Sequence, residues 1–245
     1  MIGGHPRALS TLFFTEMWER FTFYGMRALL VLFLVDAVSN GGYGLDDRTA
    51  TAIYGLYTAA VFMAALPGGW IADRLLGAQR AVMVGGALMT LGNLMLVIPG
   101  PKELFFGGLV VIIVGVGLLK PNVSTLVADL YPEGGGRRDA GFTIFYMGIN
   151  LGAFIGPLIA GWLAQRYGWR AGFLAAAVGL PFGLLQFWLS RRLFNGAGEQ
   201  PNRNDGGAGL ARDWRRLWIA LGVLTLVAAV LFSGAVPLDP ARLAK

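Results

Sequence analysis

Long apolar segments dominate this chain and leave it few possible folds. Seven of them approach or exceed the roughly 20 residues that an α-helix needs to cross a bilayer. They cover residues 8–38, 50–76, 81–98, 104–130, 141–167, 170–193 and 217–236. Because lipid offers the backbone no hydrogen-bond partners, such segments must be helical. The sequence therefore predicts an all-α membrane protein.

Composition agrees with that fold class and excludes several functions. The chain is 56% hydrophobic and 14% charged, which is typical of membrane proteins. It has no cysteine, so disulfides, thiolate chemistry and cysteine-based metal sites are excluded. The net charge of +6 raises the question of nucleic acid. The basic residues lie at the ends of apolar segments rather than in a patch, so we expect no nucleic-acid partner.

Charge also predicts topology. Most lysines and arginines outside the apolar segments fall on the side of the amino terminus and of residues 194–213. By the positive-inside rule, that side is cytoplasmic, which indicates a multi-pass protein of the inner (plasma) membrane. Residues 194–213 are rich in Gly, Asn and charge, and we expect a flexible linker. The linker would divide a six-helix bundle (residues 1–193) from one additional membrane helix within residues 214–245.

A polar stripe marks the first apolar segment. Its members are Glu16, Glu19, Arg20, Phe23, Tyr24 and Arg27. Their spacing places them along one side of a helix, and Glu16 can pair with Arg20 at i+4. A charge at the bilayer centre costs roughly 2.5–3.5 kcal/mol, so four of them together predict a functional site. A buried ion-pair cluster that merely fixes helix packing is the alternative.

Lys120, in the fourth segment, is a second intramembrane charge. It needs a carboxylate partner, and Glu16 and Glu19 are the best candidates within the segments. Such a pair would act as a switch, because protonation of the carboxylate would release the lysine to bind a substrate anion.

Asn150 is a polar side chain on the fifth segment, within the sequence FYMGINLG. Its donors and acceptor suit a substrate amide. A hydrogen bond between helices is the alternative interpretation.

Residues 68–80, GGWIADRLLGAQR, connect the second and third segments on the cytoplasmic side. We expect a tight turn built on Gly69, Asp73, Arg74 and Gly77. Asp73 is predicted to cap the third helix or to pair with a basic residue across the bundle. We interpret this turn as a conformational latch that does not contact substrate.

Four motifs occur in one order, ExxERFxFYG, GGxxADRxxG, GxGxxKPN and FYxxINxG. Together they resemble the proton-dependent oligopeptide transporter (POT) family, a branch of the major facilitator superfamily, and they cover the six-segment bundle. The chain departs from the family pattern at Phe23 and Phe62, where relatives commonly have tyrosine. These departures concern side-chain selectivity rather than family membership.

The resemblance implies proton-coupled symport of di- and tripeptides by alternating access between two six-helix halves, without a cofactor. Glu16 and Glu19 would carry the proton, with Arg20 and Lys120 as their partners. Arg27 and Lys120 would bind the peptide carboxylate, and Tyr24 and Asn150 the peptide backbone. Phe23 and Phe62 would line the pocket.

The chain covers the amino-terminal half of that fold, so we expect transport to require the missing carboxy-terminal six-helix bundle. Two alternatives stay open: a family member that carries another solute such as nitrate, and a non-transporting half-protein that needs a partner bundle. A membrane enzyme is disfavoured, because the sole histidine, His5, precedes the first segment and no intramembrane aspartate pair is present.

Overall fold

Seven α-helices make up most of the chain in a computed structural model that describes residues 4–199 and 208–232. They are α1 (Ala8–Val35), α2 (Asp47–Ile71), α3 (Ala78–Val97), α4 (Lys102–Asp129), α5 (Gly135–Tyr167), α6 (Trp169–Ser190) and α7 (Ala208–Phe232). No β-strand occurs in this described part. The all-α prediction is confirmed, and the six bundle helices correspond to the first six predicted segments.

Five helices are long and apolar enough to cross a membrane within the described residues, namely α2 to α6. The sequence predicted seven such segments. The first, α1, has 28 residues but carries four charges, so length alone supports it as a spanning helix. The seventh predicted segment begins within α7, and its residues 233–236 lie outside the described part.

The predicted linker was too long at both ends. Arg191–Phe194 forms a 3₁₀ helix, and Phe194 is buried against Phe187 with ring centroids 5.2 Å apart. At the other end α7 begins at Ala208, inside the predicted linker. Its opening turns contain strong helix formers and an Arg216–Asp213 ion pair of 3.3 Å, which favour helix over coil. Residues 200–207, the middle of the predicted linker, lie outside the described part.

Helices α1 to α6 belong to one compact unit, and α7 belongs to a second. Within the first unit α1 packs against α5 and α6, while α4 packs against α2 and α3. Glycines at these contacts allow backbones to approach: a Cβ on Gly115 of α4 would lie 2.6 Å from the Gly85 carbonyl oxygen of α3. A Cβ on Gly152 of α5 would likewise clash with the Met17 carbonyl oxygen of α1. Small residues hold the bundle together where lipid supplies no hydrophobic driving force.

Asp36 ends α1 and organises the loop that follows. Its carboxylate accepts hydrogen bonds from the Trp169 indole N–H (2.7 Å), the Asn40 amide (3.0 Å) and the Ala37 backbone N–H (2.9 Å). The bonds from Asn40 and Trp169 hold the pKa of Asp36 below its ordinary value of 3.8. The loop thereby joins the end of α1 to the start of α6.

Candidate functional site

Arg20 lies between two glutamates in the middle of α1. Its Nε donates to Glu16 Oε1 at 2.9 Å, and it forms a second, close ion pair with Glu19 Oε2. Glu16, Glu19 and Arg20 are 3%, 0% and 4% exposed, so this acidic triad lies inside protein rather than in lipid. Burial follows from the packing of α1 against α5, where Gly152 leaves room for the Arg20 side chain. The i+4 pair predicted from spacing is formed.

Arg27, two turns further along α1, lies among aromatic rings. Its guanidinium carbon is 6.0 Å from the ring centroids of both Phe23 and Tyr24, and 4.9 Å from that of Tyr54 on α2. Its Nε also donates to the Tyr54 hydroxyl oxygen. Cation–π contacts and this hydrogen bond orient the half-buried side chain.

Lys120 of α4 does not form the predicted contact ion pair. Among the described residues no carboxylate lies within the 4.0 Å ion-pair distance of its ammonium, which instead sits 4.8 Å from the ring centroid of Phe62. The cation in contact with Glu16 and Glu19 is Arg20, which lies on the same helix as both acids. Lys120 nevertheless stays within electrostatic range of Glu19, Glu16, Arg20 and Arg27. Intramembrane charges of α1 and α4 thus form one electrostatic cluster.

The three remaining predicted pocket residues differ in exposure. Phe23 is 6% exposed and stacks on Tyr57, with ring centroids 6.4 Å apart. Phe62 is 62% exposed. Asn150 is exposed, and its amide donates to the Tyr146 carbonyl of its own helix at 3.0 Å, so the alternative hydrogen bond to another helix is not formed among the residues that the structure describes.

The turn predicted as a latch is a π-helix over Ala72–Leu76, directly continuing α2. Asp73 and Arg74 are exposed on it. Asp73 does not cap α3, because the N-cap residue is Gly77, which has no side chain and a φ of 79°. Asp73 lies instead within electrostatic range of Asp129 at the end of α4.

Comparison with known proteins places this geometry in a family. The sequence profile of the POT family matches residues 79–222. The peptide transporter YePEPT of Yersinia enterocolitica is 42% identical over 98% of this chain and 48% of its own length. A di-/tripeptide transporter of Lactococcus lactis is 44% identical over 94% of this chain and 46% of its own. The chain belongs to the POT family.

A solved POT structure confirms the fold. The E310Q mutant of a peptide transporter POT in complex with alafosfalin superimposes with a TM-score of 0.85 at 45% identity, covering 94% of this chain and 47% of that one. The six-helix bundle is therefore that of a POT transporter, a multi-pass membrane protein and not an enzyme. The chain spans about half the length of the curated POT relatives it matches.

The sequence analysis of this POT chain did not identify two tyrosines of α2 as site residues. Tyr54 holds Arg27, and Tyr57 lies under Phe23. They are three residues apart and so share a helix face, which is the signal that sequence reasoning had available. The same spacing is typical of ordinary packing, and for that reason it did not separate them from the other aromatic residues.

Proposed function

We propose that this chain is the amino-terminal half of a proton-coupled symporter of di- and tripeptides. The observation that carries the proposal is the acidic triad, Glu16, Arg20 and Glu19, buried inside a helix bundle. Buried ion pairs contribute little net stability, so a cluster of this kind is better explained by function. The relatives from Yersinia enterocolitica and Lactococcus lactis are a peptide transporter and a di-/tripeptide transporter.

The proton is proposed to bind at the triad. Two carboxylates share a single guanidinium there, so with both acids ionised the triad carries one excess negative charge. A proton taken up by either glutamate neutralises that excess, while Arg20 still pairs with the other acid. Lys120, within electrostatic range but free of a contact ion pair, senses the change without a helix having to move. We infer that protonation lowers the attraction of Lys120 for α1 and makes it available to an anion.

The peptide carboxylate is proposed to bind Arg27 and Lys120. No carboxylate of the described chain lies within ion-pair distance of either side chain, and both are partly exposed. Arg27 is oriented by Tyr54, so little side-chain entropy is lost when an anion binds. Tyr24 and Asn150 would contact the peptide backbone, and Asn150 is exposed as that role requires. The solved complex with alafosfalin supports a peptide-like ligand for the family.

A carboxy-terminal six-helix bundle is the proposed partner. Helices α2 and α5 are the least covered of the bundle, and they expose large apolar side chains. These are Leu56, Phe62, Met63 and Leu66 on α2, and Tyr146, Met147, Leu151, Phe154, Leu158 and Trp162 on α5. The exposed Asn150 lies on α5 as well. We infer that this face meets the second bundle across the peptide site, with Asp73 and Arg74 in a latch at the cytoplasmic side of the inner membrane.

Uptake by proteoliposomes containing both bundles tests the proposal. An inward proton gradient should drive accumulation of labelled dialanine, and Lys120→Ala or Glu19→Gln should abolish it. Lys102→Ala is the matched control, because Lys102 is a lysine on the same helix but lies at its exposed start. Wild-type uptake in Lys120→Ala or Glu19→Gln contradicts the assigned roles. Competition by nitrate instead of unlabelled dipeptide would identify another solute.

A further inference from the structure

Tyr57 of α2 has a buried hydroxyl group with no hydrogen-bond partner among the described residues. Its side chain is 4% exposed, so the ring is enclosed by protein. A buried hydroxyl without a partner costs on the order of 1–3 kcal/mol, and native structures contain few of them. An unpaired buried hydroxyl therefore suggests a functional role for Tyr57.

The ring of Tyr57 is fixed by its neighbour on α1. It stacks on Phe23 at an interplanar angle of 25° with centroids 6.4 Å apart. The hydroxyl of this ring lies within electrostatic range of Glu19 and Arg27 on α1. Tyr54, one turn earlier, is its third charged or titratable neighbour.

Glu19 could supply the hydrogen-bond acceptor that the Tyr57 hydroxyl lacks. It is 0% exposed; its Oε2 is held in an ion pair with Arg20, while its Oε1 has no hydrogen-bond partner within the described chain. Besides Arg20, the charged groups around Glu19 are Glu16 and Lys120. Neither of these supplies a hydrogen bond to it. The Tyr57 hydroxyl and Glu19 Oε1 are therefore two buried groups without hydrogen-bond partners among the described residues, on helices α2 and α1 and within electrostatic range of each other.

We propose that Tyr57 is a positioning residue for the coupling carboxylate, and that its hydroxyl donates a hydrogen bond to Glu19. The inference rests on the proposed function, since it assigns Tyr57 to the same proton site. A side-chain rotation that brings the two oxygens together would close the bond, and the phenol O–H then turns about its C–O axis to point its hydrogen at the carboxyl group. The bond holds Glu19 toward α2 while Arg20 remains shared with Glu16, and it remains possible when Glu19 is protonated and accepts through its carbonyl oxygen.

Infrared difference spectroscopy of this chain in lipid tests the bond without requiring transport. Spectra taken across a pH titration contain the carbonyl stretch of the protonated glutamate, and Glu19→Gln identifies the band by removing it. Tyr57→Phe keeps the stack on Phe23 and deletes the hydroxyl alone. We expect the band to move to higher wavenumber in Tyr57→Phe, because a carbonyl that loses a donor stiffens. An unmoved band overturns the proposal.

Tyr54→Phe is the matched control, because it deletes the neighbouring hydroxyl, which is engaged with Arg27. Its band should stay at the wild-type position, and an equal displacement in both variants would make the effect nonspecific and overturn the proposal. Ultraviolet resonance Raman spectra observe the donor of the proposed bond, the Tyr57 ring. Subtracting the Tyr57→Phe spectrum from the wild-type spectrum isolates the bands of this ring. The bands that report a donated hydrogen bond should weaken when the same subtraction is made with both proteins carrying Glu19→Gln. Unchanged bands overturn the proposal even if Glu19 does not titrate.

These readouts separate the two proposals. Proteoliposomes that fail to take up peptide contradict the proposed function, while a displaced glutamate band still supports the bond. Normal uptake combined with an unmoved band refutes the role of Tyr57 and leaves the transport proposal intact.

Discussion

Gly115→Ala should destabilise the bundle, and the structure indicates by how much. The added Cβ would lie 2.6 Å from the Gly85 carbonyl oxygen and 2.7 Å from the Met89 backbone nitrogen. Backbone atoms cannot turn aside as a side chain can, so α3 and α4 must separate by roughly 0.5–1 Å. A gap of that size forfeits a quarter to a half of the dispersion energy of each atom pair along the contact. Overpacking of this kind costs about 1–3 kcal/mol.

Gly107→Ala is the control on the same helix. Its Cβ would meet nothing closer than the Met95 methyl at 3.4 Å, which is an ordinary contact. Both variants share the gain in helix propensity, about 1 kcal/mol, so their difference isolates the steric cost. For a chain of this size each kcal/mol shifts the melting temperature by about 2–4 °C.

Thermal unfolding of the purified chain, followed by tryptophan fluorescence, measures the difference. We expect Gly115→Ala to melt below Gly107→Ala by about 2–12 °C. Equal melting temperatures for the two variants would show that α3 and α4 have room to separate freely, and would refute the close-packing argument.

Three further predictions concern charge. Arg20→Met leaves two buried carboxylates without their cation and should cost about 3–5 kcal/mol in the same unfolding assay, and an unchanged melting temperature would contradict that. The pKa of Asp36 is depressed, so its contribution to stability is present above pH 3.8 and is lost as the pH falls through the lower folded value; Trp169 fluorescence should change over that range in the wild type and not in Asp36→Asn. Tyr54→Phe deprives Arg27 of its acceptor and should raise the KM for dialanine about tenfold with kcat unchanged, whereas a fall in kcat alone would point to the proton step.

Helix positions were largely predictable because lipid imposes a simple rule on apolar segments. Predicted bounds for the first six agree with the helices to within a few residues, and the largest shift is at the start of α5, which begins at Gly135 rather than residue 141. Residues 135–140, with the sequence GGRRDA, are helical but contain three charges and two glycines, so hydropathy could not include them. The start of α7 was missed for a similar reason.

Contacts within α1 were predictable, and contacts between helices were not. Spacing of 3.6 residues per turn fixes which side chains of one helix are neighbours, and Arg20 pairs with Glu16 accordingly. The distance from Lys120 to the same acids depends on how α1 and α4 pack, which no sequence period encodes. Of the two roles predicted for Asp73, capping of α3 is wrong, and the π turn between Asp73 and α3 has no simple sequence signature from which this could be foreseen.

The π turn at Ala72–Leu76 also constrains how this region can change length. A π-helical turn holds one more residue than an α-helical turn, so removing a single residue there would make the helix regular. Everything beyond the deletion would then keep its register, whereas deleting a residue from the regular part of α2 would rotate all that follows by about 100° about the axis. Leu75, which is 1% exposed, would stay in the protein interior in the first case and leave it in the second. A single-residue deletion is therefore better tolerated at this turn than within α2 itself.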